Sequence, residues 1–333
     1  MRHWLEQVWY RTTPPPLVLR PLAMLYGLLS RRVSQQRRQQ AQRLPVMVIV
    51  VGNVTIGGAG KTPCVLWLVE VLQSMGRRPG ILSRGYGGRG PFPRLVRAGD
   101  SAEECGDEPV LLAQRGQVPL AVAPDRLAAG RLLLQSHPEV DVLVCDDGLQ
   151  HYRLERDLEL CVVDGRRGFG NGWLLPAGPL REPSSRAAET ALLLVNGASP
   201  LESLPHAQRF DLQIGRAVNL LSGESRALRE FLPGPVHAVA GIGNPERFFD
   251  GLAALALTLQ KHAFADHHAY VPADLAFADA APVLMTEKDA VKCRAFAQPQ
   301  WWAVPADLHF PAGGEARLRR LLQERLHGAE TSI

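Results

Sequence analysis

Apolar and polar residues alternate along this chain in a way that predicts buried strands separated by helices. Residues 46–52 form a near-continuous apolar run of strand length, which is typical of a parallel strand buried on both faces. The next stretch, 64–75, is predicted as a helix that stops before Gly76. The same pattern predicts strands at 80–83, 119–123, 140–146, 158–164 and 191–195, and helices at 107–115 and 125–136. This alternation favours an α/β fold with a doubly wound parallel sheet.

A break in the pattern near residue 200 predicts a second domain. A stretch with Pro and Ser, 197–206, precedes two short strand-like runs at 209–214 and 217–221, which predict a linking hairpin. From Val236 a second strand–helix series begins, and it predicts a smaller α/β domain. The expected units are an N-terminal segment at 1–35, a larger domain at 36–205, the hairpin at 206–224 and the smaller domain at 225–333.

The basic charge of the chain is concentrated at its N-terminus. Residues 1–43 carry eight arginines and one acidic residue, a net +7, so the rest carries −3 of the total of +4. This distribution argues against a protein that coats nucleic acid and indicates a specialised N-terminal segment. Hydrophobic residues make up 46% of the chain, enough to build real cores. Five widely spaced cysteines without a C-x-x-C pair fit a reducing compartment.

The N-terminal segment is aromatic as well as basic. Two tryptophans and a tyrosine precede three consecutive prolines, and Pro21 suits the first turn of a helix over roughly 21–33. Its uninterrupted apolar part, 21–29, is too short to span a bilayer, which takes about 20 residues. The pattern predicts an interfacial helix with apolar side chains in the lipid boundary and arginines on anionic head groups. The alternative is an ordinary amphipathic helix docked on its own domain.

A glycine-rich loop separates the first predicted strand from the first predicted helix. Strand, glycine-rich turn, Lys-Thr and helix is the context of a phosphate-binding P-loop, whose backbone N–H groups and helix dipole attract phosphate. Lys61, one of only four lysines among 37 basic residues, would reach the β- and γ-phosphates. Thr55 stands where the G-x-x-x-x-G-K-[ST] pattern has its first glycine. The predicted phosphate-binding residues are Thr55, Ile56, Gly57, Gly58, Ala59, Gly60, Lys61 and Thr62.

Two carboxylates stand at the end of the predicted strand at 140–146. Asp146 and Asp147, together with the hydroxyl of Thr62, predict a Mg²⁺ site; the alternative is a strand-end turn in which an Asp is only a cap. A P-loop alone leaves GTPase, ATPase and kinase open. The nearest string to the guanine-specific N-K-x-D motif is Thr286-Glu-Lys-Asp289, where the lysine is displaced, and this argues against a GTPase.

Nine short blocks between about residue 46 and residue 292 carry a family resemblance. They are Val51-Gly-Asn-Val-Thr-Ile-Gly-Gly-Ala-Gly-Lys-Thr-Pro63, Ser83-Arg-Gly-Tyr-Gly87, Gly106-Asp-Glu-Pro109, Asp125-Arg126, Asp146-Asp-Gly-Leu-Gln-His151, Leu175-Pro-Ala-Gly-Pro-Leu-Arg-Glu-Pro183, Gly241-Ile-Gly-Asn-Pro-Glu-Arg-Phe-Phe249, Asp266-His267 and Met285-Thr-Glu-Lys-Asp-Ala-Val-Lys292. In this order they resemble the tetraacyldisaccharide 4′-kinase family of the lipid A pathway in Gram-negative bacteria. The missing P-loop glycine is itself a feature of that family.

The resemblance implies an activity and its surroundings. The implied reaction transfers the γ-phosphate of ATP, with Mg²⁺, to the 4′-hydroxyl of a tetraacylated glucosamine disaccharide 1-phosphate, and 36–205 is the implied P-loop kinase domain. Since a substrate with four acyl chains stays in the bilayer, the expected location is the cytoplasmic face of the inner membrane, reached through the N-terminal segment. No nucleic acid and no obligate protein partner is expected.

The resemblance also implies roles for single residues. Asp107 is the implied base for the sugar hydroxyl and His267 its partner, and Lys61 and Arg126 complete the implied catalytic set. From the residues alone, Asp107 is predicted as the N-cap of the helix at 107–115. His267 and its neighbouring histidines match no standard zinc spacing. The weaker implied substrate contacts are Arg84, Gln150, His151, Arg181 and Glu182; for the arginines, composition leaves a surface cation as the alternative.

Other functions and other roles stay open at this point. A soluble P-loop kinase of a small metabolite should remain active after deletion of residues 1–32. A non-kinase P-loop switch or metallochaperone-type ATPase would need a guanine motif or a clustered metal site. Lys288 and Lys292 could serve the site or form helix-surface pairs with Glu287 and Asp289, and the second is our prediction.

Overall fold

The computed structural model describes residues 2–11, 13–204 and 206–330. The predicted units also include Met1, Thr12, Pro205 and residues 331–333, which lie outside the described residues. The helices are α1 Arg2–Trp9, α2 Leu19–Gln39, α3 Lys61–Ser74, α4 Ala102–Cys105, α5 Asp107–Gly116, α6 Arg126–Ser136, α7 Ser185–Ala188, α8 Pro245–Ala253, α9 Glu287–Cys293 and α10 Gly314–Glu330. The strands are β1 Met47–Gly52, β2 Pro79–Ser83, β3 Arg94–Leu95, β4 Leu120–Val122, β5 Val142–Asp146, β6 Leu158–Asp164, β7 Leu192–Asn196, β8 Ala207–Ile214, β9 Ala217–Asn219, β10 Ser225–Arg226, β11 Pro235–Ala240, β12 Thr258–Ala263, β13 Val283–Thr286, β14 Trp301–Val304 and β15 Ala306–His309.

The larger sheet has the strand order β15-β8-β7-β6-β1-β5-β2-β4-β3 within the described residues. Its seven central strands are parallel, and the two edge strands β15 and β3 are antiparallel to their neighbours. Helices cover both faces over two apolar clusters, which explains the continuous apolar run in β1. Val51 pairs with Asp146 and Gly52 with Cys161, so the loops after β1, β5 and β6 leave the sheet side by side. The predicted doubly wound α/β fold is confirmed.

The smaller sheet has the order β10-β9-β14-β13-β11-β12, with a parallel core from β12 to β14. Its two faces carry apolar clusters of their own, as expected for a second α/β layer. The edge strand β12 was not among the predicted strands. Its residues are partly or fully exposed, because only one side of an edge strand is covered, and so it lacks the apolar run on which the prediction depends.

The predicted hairpin at 206–224 is wrong. β8 lies parallel to β7 and antiparallel to β15 in the larger sheet, whereas β9 pairs with β14 and β10 in the smaller one. Each strand joins the sheet in whose core its apolar side chains are buried. Phe210 of β8 is fully buried in the core of the larger sheet, and Ala217 of β9 is fully buried in the core of the smaller sheet. The segment therefore links two sheets without pairing with itself.

The predicted C-terminal unit at 225–333 also differs from the structure in its last part. β15 joins the larger sheet, and α10 packs on it through Leu318, Leu322 and Leu326, whose spacing of four places them on one helix face. The last described helix therefore belongs to the larger sheet and not to the smaller one.

The N-terminal helices α1 and α2 lie on the segment 167–181 of the larger domain. Trp9 Nε1 donates to the carbonyl of Pro176 at 2.9 Å, and Tyr26 Oη donates to the carbonyl of Arg181 at 3.1 Å. Gly27 is buried against this segment, and a Cβ at this position would lie only 2.8 Å from a methyl of Leu174. The opposite face of α2 exposes a set of apolar side chains, Leu22, Met24, Leu25, Leu28, Leu29 and Val33. Within the described residues, no helix combines the length and apolarity that crossing a membrane requires.

Candidate active site

The P-loop occupies the turn between β1 and α3. Gly57 and Gly60 have φ of +111° and +96°, values that side chains with a Cβ rarely adopt. A Cβ on Gly60 would also lie 2.7 Å from Nδ2 of Asn196, which donates to the carbonyl of Ala59 at 3.1 Å. Thr55 has no positive φ and pairs with Leu180 in an antiparallel bridge, so this position does not need the glycine that the P-loop pattern has there.

A turn of the smaller sheet touches the P-loop. Gly241-Ile-Gly243 connects β11 to α8. A Cβ on Gly243 would lie 2.9 Å from the amide nitrogen of Gly58. Because backbone meets backbone here, the absence of a side chain at Gly243 lets the smaller sheet approach this loop.

The acidic pair after β5 lies beside the P-loop lysine. Lys61 Nζ is 3.4 Å from Asp147 Oδ1, and Arg181 Nη1 is 3.2 Å from Asp147 Oδ2. Burial opposes ionisation of Asp147, but the charges of Lys61 and Arg181 outweigh it and hold the pKa of this carboxyl well below its usual range. Asp147 is therefore a carboxylate at neutral pH.

Asp146 differs from its neighbour in charge environment. It is 2% exposed, and its Oδ2 accepts a hydrogen bond from Ser83 Oγ at 3.0 Å. Burial, with the negative charges of Glu108 and Asp147, raises the pKa of Asp146 above its usual range. Asp146 thus places a second carboxyl group directly beside Asp147, and two adjacent carboxyl groups suit a cation.

Asp107 and His267 are brought together from the two sheets, although 160 residues separate them in the chain. Nδ1 of His267 is 3.0 Å from Asp107 Oδ2 and 3.2 Å from Oδ1, and Asp107 Oδ1 also accepts from the amide of Glu108 at 2.8 Å. Asp107 is not the helix N-cap that the residues alone predict: Gly106 holds that position, and its φ of +94° turns the chain into α5. The Asp107 side chain is therefore available to His267.

Lys288 completes this cluster, contrary to the prediction of a helix-surface pair. Its Nζ lies 3.3 Å from Nε2 of His267, 3.0 Å from Glu108 Oε1 and 3.3 Å from Asp266 Oδ1. An ammonium group only donates, so Nε2 of His267 is the acceptor and Nδ1 carries the proton that Asp107 accepts. Burial opposes ionisation of Asp107, but the hydrogen bond from His267 and the charge of Lys288 lower its pKa. Lys292 does pair with Asp289, at 2.8 Å, but inside the protein and not on its surface.

The predicted catalytic residue Arg126 lies at the ends of β4 and β5. Its guanidinium is buried and donates to the carbonyls of Ala123 at 3.1 Å and Asp146 at 3.3 Å. Its amide donates to Nε2 of His151 at 3.2 Å. Burial, together with the charge of Arg126, lowers the pKa of His151 to about 4, so this imidazole is neutral at pH 7. Through these hydrogen bonds, Arg126 and His151 stabilise the loop that carries Asp146 and Asp147.

The weaker predicted contacts fall into two groups. Gln150 donates to Glu182 Oε2 at 2.8 Å and accepts from Arg181, while Tyr152 donates to the other oxygen of Glu182. These residues form one hydrogen-bonded chain that ends at Asp147. Arg84 lies apart from this chain, exposed after β2.

Three residues near the site were not predicted: Asn196, Ser83 and Arg167. Asn196 and Ser83 are the last residues of β7 and β2. Their position at the carboxyl end of a predicted strand could have indicated them as site residues. Arg167 lies in the glycine-rich loop after β6, Asp164-Gly-Arg-Arg-Gly-Phe-Gly-Asn-Gly172. That loop, like the P-loop, follows a buried strand, which was the available signal.

A parallel sheet with a glycine-rich loop after its central strand and an acidic pair after the neighbouring strand defines the P-loop NTPase-like class. The family model for LpxK, tetraacyldisaccharide-1-P 4′-kinase, matches residues 16–327. A tetraacyldisaccharide 4′-kinase of Pseudomonas aeruginosa is 50% identical over 332 residues, covering 96% of this chain and 98% of the relative. One from Ectopseudomonas mendocina is 51% identical over 312 residues, covering 91% and 92%. The chain belongs to the tetraacyldisaccharide-1-P 4′-kinase family.

The fold also agrees with a solved structure of that family. The crystal structure of LpxK from Aquifex aeolicus in complex with ATP superposes with a TM-score of 0.74 at 27% identity. The match covers 92% of this chain and 97% of the Aquifex chain, so it includes both sheets.

Proposed function

We infer that this chain is a lipid A 4′-kinase, which transfers the γ-phosphate of ATP to the 4′-hydroxyl of tetraacyldisaccharide 1-phosphate. The name shared by relatives of about 50% identity supports the substrate, and the ATP complex of the Aquifex protein supports the phosphate donor. Within this chain, one observation carries the reaction type: an ionised, buried carboxylate, Asp107, accepts from His267 Nδ1 at 3.0 Å. The neighbouring Asp266 and the P-loop residue Gly58 both lie against Gly243, so this pair is close to the P-loop. That pair suits an alcohol acceptor, since it offers an oxygen to the hydroxyl proton.

The proposed reaction is an in-line displacement. The 4′-oxygen of the sugar forms a bond to the γ-phosphorus, the bond to the β,γ-bridging oxygen breaks, and ADP leaves with that electron pair. The hydroxyl proton passes to Asp107. Since its pKa is lowered, Asp107 is a weak base that orients the hydroxyl first and takes the proton as the new bond forms, which fits a loose transition state. His267 donates from Nδ1 to the carboxylate and holds it in place during this step.

We propose that Thr62, Asp146 and Asp147 hold Mg²⁺. Oxygen atoms are the ligands that Mg²⁺ prefers, and the Asp147 carboxylate lies 3.4 Å from Lys61, the neighbour of Thr62 in the P-loop. When bound, the ion would neutralise phosphate charge. Lys61 and the amides of 55–62 would bind the β- and γ-phosphates. Arg126 and His151 would fix the strand ends, Arg181, Gln150 and Glu182 would orient Asp147, and Arg84 would meet the substrate at the rim.

The activity test uses the full chain, γ-labelled ATP, Mg²⁺ and the disaccharide 1-phosphate in detergent micelles. We expect label on the disaccharide at the 4′ position. Label on a water-soluble acceptor alone would favour the small-metabolite kinase, and ATP hydrolysis without any acceptor would favour a switch or chaperone-type ATPase. Either outcome would contradict the proposed substrate.

The exposed face of α2 supports contact with the bilayer that holds the substrate, and we propose the cytoplasmic face of the inner membrane. Met24 and Leu28 are 67% and 64% exposed, and Arg31 and Arg32 follow them on the same helix. Apolar side chains next to arginines are the composition of a helix that lies in the interface plane of an anionic membrane. The buried face of α2 is already used by Tyr26 and Gly27, so only the apolar face is left for lipid.

Point substitutions test this contact better than deletion, because deletion would also remove the hydrogen bonds of Trp9 and Tyr26 to the larger domain. We expect the double variant Leu25→Ser, Leu28→Ser to lose vesicle binding by roughly tenfold or more, from lost apolar burial. Its kcat in detergent micelles should stay within about twofold of the unmodified chain. The control, Gln35→Ser with Gln36→Ser, changes two exposed polar residues of the same helix. Equal vesicle binding by both double variants would rule the contact out.

A further inference from the structure

The loop after β6 brings an arginine onto the P-loop. Because β6 lies next to β1, the loops that follow these strands are neighbours. Asp164, the last residue of β6, accepts from the amides of Arg166 and Arg167 at 2.9 and 3.1 Å, which turns the chain tightly at this point. Nη1 of Arg167 comes to 3.7 Å from the position that a Cβ on Gly57 would occupy. The guanidinium therefore lies against the phosphate-binding loop itself.

Arg167 differs from the other cations around the site in its partners. Lys61 and Arg181 each lie within 3.4 Å of Asp147, and Arg247 lies 3.2 Å from Asp164. Among the described residues, no carboxylate oxygen lies within 4.0 Å of the Arg167 guanidinium. A partly buried guanidinium next to a P-loop, without an ion-pair partner among the described residues, is placed to meet an anion of the substrate.

An aromatic ring also contacts this guanidinium. The Cζ of Arg167 lies 5.1 Å from the ring centroid of Tyr10, at the end of α1. Tyr10 is itself fixed, because the neighbouring carbonyl of Trp9 accepts from the amide of Asn171 at 2.8 Å, and Val8 O accepts from its side chain at 3.2 Å. A guanidinium held next to a ring by a cation–π contact loses rotational freedom and still has N–H groups that can donate elsewhere.

We propose that Arg167 is a catalytic residue that contacts the transferring phosphoryl group, an arginine supplied by the chain itself and held in place by Tyr10. The proposal rests on the proposed phosphotransfer. As the bond from the 4′-oxygen to the γ-phosphorus forms and the bond to the β,γ-bridging oxygen breaks, charge collects on the γ-phosphoryl oxygens and on the leaving ADP. Arg167 donates to those oxygens, while the hydroxyl proton still goes to Asp107. In P-loop enzymes an arginine in this role raises kcat by about 10³–10⁵.

The test compares Arg167→Gln with Arg166→Gln in the full-length protein in micelles. Arg166 is the matched control, because it is the adjacent arginine, its side chain is 74% exposed and its contact to Asp250 is 3.7 Å long. We expect Arg167→Gln to lower kcat by about 10³, with KM for ATP within about threefold, and Arg166→Gln to stay within about twofold. Arg167→Lys should recover little, since an ammonium lacks the planar fork. A kcat for Arg167→Gln near that of the control, or a raised KM for ATP at unchanged kcat, would overturn the proposal.

A binding measurement separates this proposal from the function on which it rests. ADP with aluminium fluoride mimics the transferring phosphoryl group and needs no lipid acceptor. Arg167→Gln should bind ADP as the unmodified chain does, but should bind ADP with aluminium fluoride at least tenfold more weakly, as expected for a lost charge-assisted contact. Equal loss of both would overturn the proposal. If the unmodified chain failed to phosphorylate the disaccharide, this difference would still report whether Arg167 contacts a phosphoryl group.

Tyr10 gives a second, independent readout. Tyr10→Phe keeps the ring and should leave kcat within about twofold, whereas Tyr10→Leu removes the stacking and should lower kcat by roughly three- to tenfold, the size of a cation–π contact. Circular dichroism confirms that each variant is folded. Equal kcat for the two Tyr10 variants would contradict the role given to the ring.

Discussion

The two sides of the candidate active site are built in different ways. The phosphate side consists of consecutive residues, 55–62, and of loops that leave neighbouring strands of one sheet. The acceptor side joins Asp107 on the larger sheet to His267 and Lys288 on the smaller one. The first is a local motif that one βα unit can form, whereas the second exists only when both sheets are packed together.

This difference has a consequence for function. A P-loop that forms locally can bind nucleotide whatever the second sheet does, but the proposed base is complete only with the second sheet in contact. The backbone contact between Gly58 and Gly243 is what brings the two sides together. Coupling the base to that contact would favour transfer to the sugar, since the base is then in place only when the second sheet lies against the P-loop.

The largest effect should come from Asp107→Asn, which removes the base and keeps the side-chain shape. We expect kcat to fall by about 10²–10⁴, with ADP affinity within about twofold, because the phosphate side is untouched. Steady-state kinetics and equilibrium binding check the two halves of this statement. Asp250→Asn serves as control, since that carboxylate is exposed on α8. If ADP affinity fell along with kcat, the two sides of the site would not be separable.

A smaller effect is expected for Lys288→Met, which removes the ammonium and keeps the length. Without it, the His267 ring is no longer held in one tautomer, and we expect kcat to fall by about tenfold, the cost of one charge-assisted hydrogen bond. Because the charge of Lys288 lowers the pKa of Asp107, its removal should raise that pKa and move the acid limb of the kcat/KM profile to higher pH. The exposed Lys261→Met is the control. An unshifted acid limb would show that Lys288 does not act on Asp107.

The phosphate side and the larger sheet were predictable from sequence because their signals are local. Parallel strands buried on both faces give continuous apolar runs, as in β1, and the P-loop lies within one such βα unit. The edge strand β12 was not predicted, because its residues are partly or fully exposed and do not form an apolar run. The 206–224 hairpin was wrong because two adjacent strand-like runs do not reveal that each finds its partners in a different sheet.

The acceptor side was predictable only in part. The family resemblance identified Asp107 and His267 as a pair, which no spacing in the chain could indicate. The place of Lys288 depended on the packing of α9 against α5, which brings it to Glu108 from 180 residues away. Lysine is rare in this chain, and that rarity could have indicated a role for Lys288 in the site. The helix pattern alone favoured a surface pair instead. Arg167 was passed over because arginine is common in this chain and its loop resembles an ordinary glycine-rich turn.

The smallest effect is expected at His151, which together with Arg126 supports the loop after β5. It is measured as a change in the free energy of unfolding. Burial and the charge of Arg126 lower the pKa of His151 to about 4, from an ordinary value of 6.5. Between those two values the unfolded chain binds a proton that the folded chain does not, so the free energy of unfolding must fall as the pH falls from 6.5 to 4. His151→Gln keeps an acceptor for the Arg126 amide and cannot titrate. We therefore expect the unmodified chain to lose about 1–3 kcal/mol more than the variant over this window, allowing for partial exposure of the ring. Urea titrations at pH 7, 5.5 and 4 would measure the difference, and parallel curves would show that the imidazole is not held neutral by Arg126 and its burial.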